Sequence, residues 1–154
     1  MGFYLPGRRG WTLPDGAPYP RAVRVLAVDF GEKRIGLAVS DLAGEVVLPV
    51  GAVFRRSDGQ AAAEVAVAAR EREVERIVVG LPVRADGGGE SPFAVRARSF
   101  ARKLAEATGL PVELHGEALT SVSAEGSLRE AGLSGRRRAA ALDAEAAAEL
   151  LRDW

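Results

Sequence analysis

Residues 23–30 (VRVLAVDF) are almost unbroken apolar sequence, ending on an aspartate and a phenylalanine with glycine next in the chain. A run this short and this apolar reads as a strand covered on both faces, so the fold must place a layer on each side of its sheet. Residues 35–41 (IGLAVSD) form a second strand after the turn 31–34 (GEKR). Residues 45–53 (EVVLPVGAV) form a third, with Leu42, Ala43 and Gly44 making the hairpin and Pro49 marking an edge position. The folded part therefore opens as a three-stranded antiparallel meander.

Helical periodicity then supplies the covering layers. The spacing predicts a helix over 59–74, a strand at 76–80, a glycine-rich loop over 84–89 and a helix over 91–108. Ser91 is the N-cap of that second helix, Pro92 its first residue and Gly109 its terminator. A strand at 112–115, a helix over 120–131 and a last helix from about 138 to Arg152 follow. Crossovers of this length make the strands near 25, 77 and 113 parallel. The expectation is an α/β domain over 23–154: a five-stranded mixed sheet, antiparallel meander plus two parallel strands, with helices on both faces. Residues 1–22, rich in Gly and Pro and without period, read as an irregular extension.

Composition narrows the chemistry. The chain's 154 residues suit one domain, and it has no cysteine and a single histidine, His115. Thiolate and multi-histidine metal centres are thereby excluded, so any metal must be held by oxygen, which points to Mg²⁺ or Mn²⁺. Basic and acidic residues both number 21, so attraction for nucleic acid must be local. No apolar run approaches the roughly 20 residues that cross a bilayer, and the N-terminal stretch lacks a signal-peptide core. A cytoplasmic protein with no membrane partner is expected.

In open α/β sheets ligands gather outside the carboxyl ends of the parallel strands. That rule selects Asp29, which ends the first strand, and Glu117, which follows the last. On the final helix Leu142, Ala146, Leu150, Leu151 and Trp154 recur at helical spacing, and Asp143 lies at the edge of this stripe. A carboxylate beside an apolar face needs a cation or a hydrogen-bond donor, and one near a helix start gains from the macrodipole. Three carboxylates at one sheet edge could hold one or two divalent ions; two ions roughly 3.5–4 Å apart would clamp the attacking and leaving oxygens of a phosphodiester displacement. Taken singly, each has an ordinary reading. Asp29 suits a turn before glycine, Glu117 a solvated loop, and Asp143 the first turn of a helix.

Four ordered segments carry a resemblance: AVDFGEKRIGLAVSD (27–41), IVVGLPVRADGGGESPFAVRARSFA (77–101), LHGEALTSVSAEGSL (114–128) and ALDAEAAAELL (141–151). Together they resemble the YqgF/RuvX family, bacterial pre-16S rRNA nucleases also described as Holliday-junction-resolvase-like. The resemblance implies a ribonuclease H-like fold and an acidic triad at Asp29, Glu117 and Asp143, catalytic and metal-binding. The third motif departs from the family's usual His-Asp-Glu-Arg, reading His115, Gly116, Glu117 and Ala118. An acidic and a basic neighbour are thus missing. The basic residue usual shortly before the final aspartate has its nearest counterpart in Arg138.

Side chains able to grip phosphates are Lys33, Arg34, Arg84, Arg96, Arg98, Arg136, Arg137 and Arg138, whereas Arg102 and Lys103 read as a solvated helix face. The implied activity is a Mg²⁺- or Mn²⁺-dependent nuclease acting on structured nucleic acid, either precursor 16S rRNA at its 5′ end or branched DNA. Junction resolution would need two active sites and hence a homodimer, which no long apolar surface stripe announces. Two other classes stay open. One is a nucleotide-binding protein, because Asp29, Phe30 and Gly31 also resemble the phosphate loop of actin-like ATPases; the other is a non-catalytic nucleic-acid-binding module.

Overall fold

A computed structural model of the chain describes residues 23–82, 88–117 and 135–154. In chain order the elements are β1 (Val25–Phe30), β2 (Arg34–Ser40), β3 (Val47–Phe54), α1 (Asp58–Glu71), β4 (Arg76–Pro82), α2 (Pro92–Thr108), β5 (Val112–Glu117) and α3 (Gly135–Asp153). The strands form one sheet in the order β3-β2-β1-β4-β5. β1 runs antiparallel to β2 and parallel to β4, β2 pairs antiparallel with β3, and β4 pairs parallel with β5. This is the mixed sheet expected from the sequence, with the apolar first strand at its centre and the Pro49 strand at one edge.

Alternation along β1 divides the core. Leu26, Val28 and Phe30 enter the cluster built with α1 and α2, while Val25 and Ala27 enter the one built with α3. On the first face the Phe30 ring packs 5.0 Å from Phe100 and 5.3 Å from Phe93. On the second face the helix meets the sheet largely through Ala144, Ala147 and Ala148, with Leu150, Leu151 and Trp154 toward its end. Small side chains let a helix backbone sit close to a sheet, and this sets the geometry of the site below.

Local signals explain the helix starts. Ser57 accepts from the Gln60 amide at 3.1 Å while the Gln60 side chain accepts from the Ser57 amide at 3.2 Å, a reciprocal capping box. Ser91 caps α2 through the Ala94 amide, Pro92 opens it, and Gly109 ends it in the left-handed region at φ 68°. The buried Ser40 hydroxyl accepts from the Val25 amide at 2.9 Å, tying β2 to the start of β1.

Several boundaries differ from the sequence expectation. α3 begins at Gly135 rather than 138, so Asp143 lies more than two turns inside the helix, where the macrodipole offers little. Its buried residues are Ala144, Ala147, Ala148, Leu150 and Leu151, and Leu142 and Ala146 are only half-buried, because the face turned to the sheet is the one that carries Ala144, Ala147, Ala148 and Leu151. β5 extends to Glu117, which is thus the last residue of the strand and not the residue after it. The expected helix over 120–131 and the extension at 1–22 lie outside the described residues. Among the described residues no helix is long and apolar enough to cross a membrane.

Candidate active site

Asp29 is the half-buried position in a strand otherwise buried from end to end. Its alternation matches Val25 and Ala27, so it belongs to the α3 face near the carboxyl end of β1. Directly across the antiparallel ladder its partner is Gly36. That glycine has a structural reason: a Cβ built on it would overlap the main-chain carbonyl of Asp143 and lie 3.1 Å from the Asp143 Cα. The α3 backbone therefore rests on the bare main chain of β2, and Asp29 and Asp143 flank one glycine. A glycine inside a strand often marks such a close backbone approach.

The turn between β1 and β2 is equally tight, since a Cβ at Gly31 would overlap the Arg34 carbonyl. It delivers Arg34 to the same place. The Arg34 Nε donates to Asp143 Oδ2 at 2.7 Å, a charge-assisted bond spanning 109 positions of sequence with both side chains partly shielded. Arg55, which the sequence reading passed over, frames the turn from the other side. Its guanidinium stacks 4.9 Å from the Phe30 ring centroid, donates to the Glu32 carbonyl at 2.7 Å and pairs with Asp58 at 2.7 Å.

Glu117 ends β5 opposite Pro82, two strands from β1. Its position continues the alternation of Glu113 and His115; its side chain lies outside the described residues. Among the described residues no group of three or more His, Asp or Glu side chains is placed to hold a metal ion. Two members of the expected triad, Asp29 and Asp143, are brought to one place. Both are oxygen donors, one on the central strand and one on the packed helix, near the carboxyl end of β1, and oxygen is the donor type that hard divalent cations take. His115 meets Asp153 at 2.9 Å on the same face.

The basic residues are placed variously. Lys33 is exposed in the β1–β2 turn and Arg137 is exposed in the first turn of α3. The Arg136 guanidinium lies 5.1 Å from the ring centroid of Phe54 at the end of β3. Arg138 is half-buried, and its Nε is buried without a hydrogen-bond partner among the described residues. Arg96 reaches toward Glu32 at 3.5 Å and stacks 5.9 Å from Phe93, whereas Arg98 is paired with Glu90. Arg84 lies outside the described residues. Lys33, Arg34, Arg96 and Arg136 thus come from the β1–β2 turn and the helix starts, elements near the carboxyl edge of β1.

A family profile described as RuvX, Holliday junction resolvase, matches residues 23–154. A protein of Anaeromyxobacter dehalogenans with the provisional name pre-16S rRNA nuclease is 48% identical over 132 residues, covering 86% of this chain and 96% of that one. A similarly named protein of Myxococcus xanthus is 40% identical over 132 residues, covering 86% and 87% respectively. Among solved structures, RuvC of T. thermophilus in complex with a Holliday junction substrate superposes with a TM-score of 0.52 at 18% identity, covering 83% of this chain and 90% of that one. At that identity the likeness concerns the fold, which is ribonuclease H-like.

Proposed function

Because the chain belongs to the RuvX family, we propose that it is a divalent-metal-dependent endonuclease that hydrolyses phosphodiester bonds in structured nucleic acid, with precursor 16S rRNA as its substrate in the cytoplasm and 5′-end processing as its task. The observation that carries this reading is the pairing of Asp29 and Asp143 across Gly36 at the carboxyl edge of the sheet. The fit of the donor set is chemical: carboxylate oxygens on rigid elements, with no cysteine in the chain.

In this reading Asp29 and Asp143 hold Mg²⁺ or Mn²⁺, with Glu117 as the third carboxylate. A bound divalent ion supplies Lewis acidity to activate water and to offset charge gathering on the phosphate. Asp29 fixes the site to the central strand, so its position does not drift when substrate arrives. Asp143 is fixed by the helix backbone beneath it. Lys33, Arg34, Arg84, Arg96, Arg98, Arg136, Arg137 and Arg138 are the candidates for gripping phosphates on either side of the scissile bond. Gly116 and Ala118 stand in the sequence where the family's motif carries an acidic and a basic residue, so in this reading more of the substrate grip falls to the β1–β2 turn and the start of α3.

The second reading, resolution of four-way DNA junctions, is favoured by the description of the family profile. It requires two sites and hence a homodimer. One experiment separates the two: incubation of the protein with matched precursor rRNA and four-way junction substrates, with Mg²⁺, with Mn²⁺ and with chelator, while its mass in solution is measured. The proposal expects cleavage of the RNA that chelator abolishes. Symmetric cutting of the junction by a dimer would transfer the assignment to the second reading. Absence of cleavage on both substrates, with intact binding, would replace both with a non-catalytic binding module.

A further inference from the structure

The cation nearest Asp143 among the described residues is not a visitor but part of the chain. Arg34 holds Asp143 Oδ2 through a single nitrogen at 2.7 Å, with the two side chains 35% and 21% exposed. Asp29 pairs with Gly36 across the ladder and the Asp143 main chain rests on the same glycine, so the fold gathers two acidic residues about one position. Like charges gathered in one neighbourhood repel, and a charge of opposite sign among them relieves the repulsion. Arg34 is delivered there by the tight turn at Gly31, whose shape admits no side chain.

We propose that Arg34 is a built-in counter-cation for the Asp29–Asp143 site, occupying Asp143 until a divalent ion enters and then giving it up. This deepens the metal-dependent nuclease reading and rests on it. A single-point hold between partly shielded groups is weak enough to exchange. A bidentate, fully buried pair would resist. The exchange is one of coordination only: the Asp143 carboxylate changes partner, no covalent bond forms or breaks, and the guanidinium stays charged. Released, it remains at the carboxyl edge of β1, where a substrate phosphate would meet it. Arg34 is therefore a positioning residue that couples metal entry to phosphate grip.

The test is Mn²⁺ binding by calorimetry on the full chain, with thermal unfolding followed with and without Mn²⁺. Arg34→Gln removes the competitor, and Lys33→Gln removes a neighbouring charge that makes no such pair among the described residues. We expect Arg34→Gln to bind Mn²⁺ tighter by roughly three- to tenfold, Lys33→Gln to change affinity by less than about twofold, and Arg34→Lys to fall between wild type and Arg34→Gln. Arg34→Gln should also unfold at lower temperature than wild type without Mn²⁺ and recover most of the difference with it. Equal gains from Arg34→Gln and Lys33→Gln would reduce the effect to general charge and overturn the proposal. So would weaker binding by Arg34→Gln, or an equal loss of thermal stability with and without Mn²⁺, the signature of a purely structural tether. If Arg34→Gln does not fold, Arg34→Lys decides: affinity at or below wild type overturns the proposal. Asp143→Asn separates this failure from that of the underlying reading. If wild type and Asp143→Asn bind Mn²⁺ equally, the metal site itself is wrong; if only the Arg34 series fails, the site stands and the exchange does not.

Discussion

The main-chain carbonyl of Asp143 rests against the Cα of Gly36, so closely that no side chain fits between helix and strand. Gly36→Ala should lift α3 from β2, costing about 1–3 kcal/mol of stability in urea unfolding. It should also lower metal-dependent cleavage by displacing Asp143 from Asp29. Gly59 is the control: it lies in α1 with open space around its Cα, and Gly59→Ala should be neutral or stabilising by up to about 1 kcal/mol.

The capping box at the start of α1 joins Ser57 and Gln60 on a helix that packs against the opposite face of the sheet from α3. Ser57→Ala should destabilise the fold by about 1 kcal/mol and leave the cleavage rate per folded molecule unchanged. Parallel measurement of denaturation midpoint and turnover checks both parts.

Phe100 is fully buried and packs against Phe30, the residue that follows Asp29 in β1. Phe100→Ala should cost about 3–5 kcal/mol by emptying the core on the α1–α2 face. Loss of cooperative unfolding or of solubility at physiological temperature is the expected observation; a change within experimental error would contradict the packing described.

Arg136 stacks on Phe54 at the start of α3 and is one of the residues proposed to contact phosphate. Arg136→Ala should weaken binding of RNA uniformly across sequences and reduce the slope of log affinity against log salt by about 1. A sequence-dependent loss would instead indicate base contact.

The sequence made Asp29 visible because a carboxylate at the end of a buried strand breaks an apolar pattern, and periodicity plus cap residues located α2 almost to the residue. Pro49 announced its edge strand because proline cannot donate to a ladder. What was hidden is long-range. Arg34 and Asp143 are 109 positions apart, and nothing local marks them as partners; Arg34 read as one more phosphate-gripping cation. Gly36 was a small residue in a strand until the helix that needs it was in place. The stripe of α3 was misjudged at Leu142 and Ala146 for a related reason: an alanine-rich helix offers several faces of similar apolarity, and only the packed sheet selects the one carrying Ala144, Ala147 and Ala148. Arg55 was missed because its role depends on a ring, Phe30, brought near it by the sheet.

The central claim is that Asp29 acts in cleavage through a divalent ion and not in shaping the turn. The most direct measurement is the Mn²⁺-dependent cleavage rate of Asp29→Asn on structured RNA under single-turnover conditions, with binding of the same RNA measured alongside. The substitution keeps the size of the side chain and one oxygen but removes the charge. Cleavage should fall by about a hundredfold or more while RNA affinity stays within about twofold. Cleavage at the wild-type rate would contradict the account.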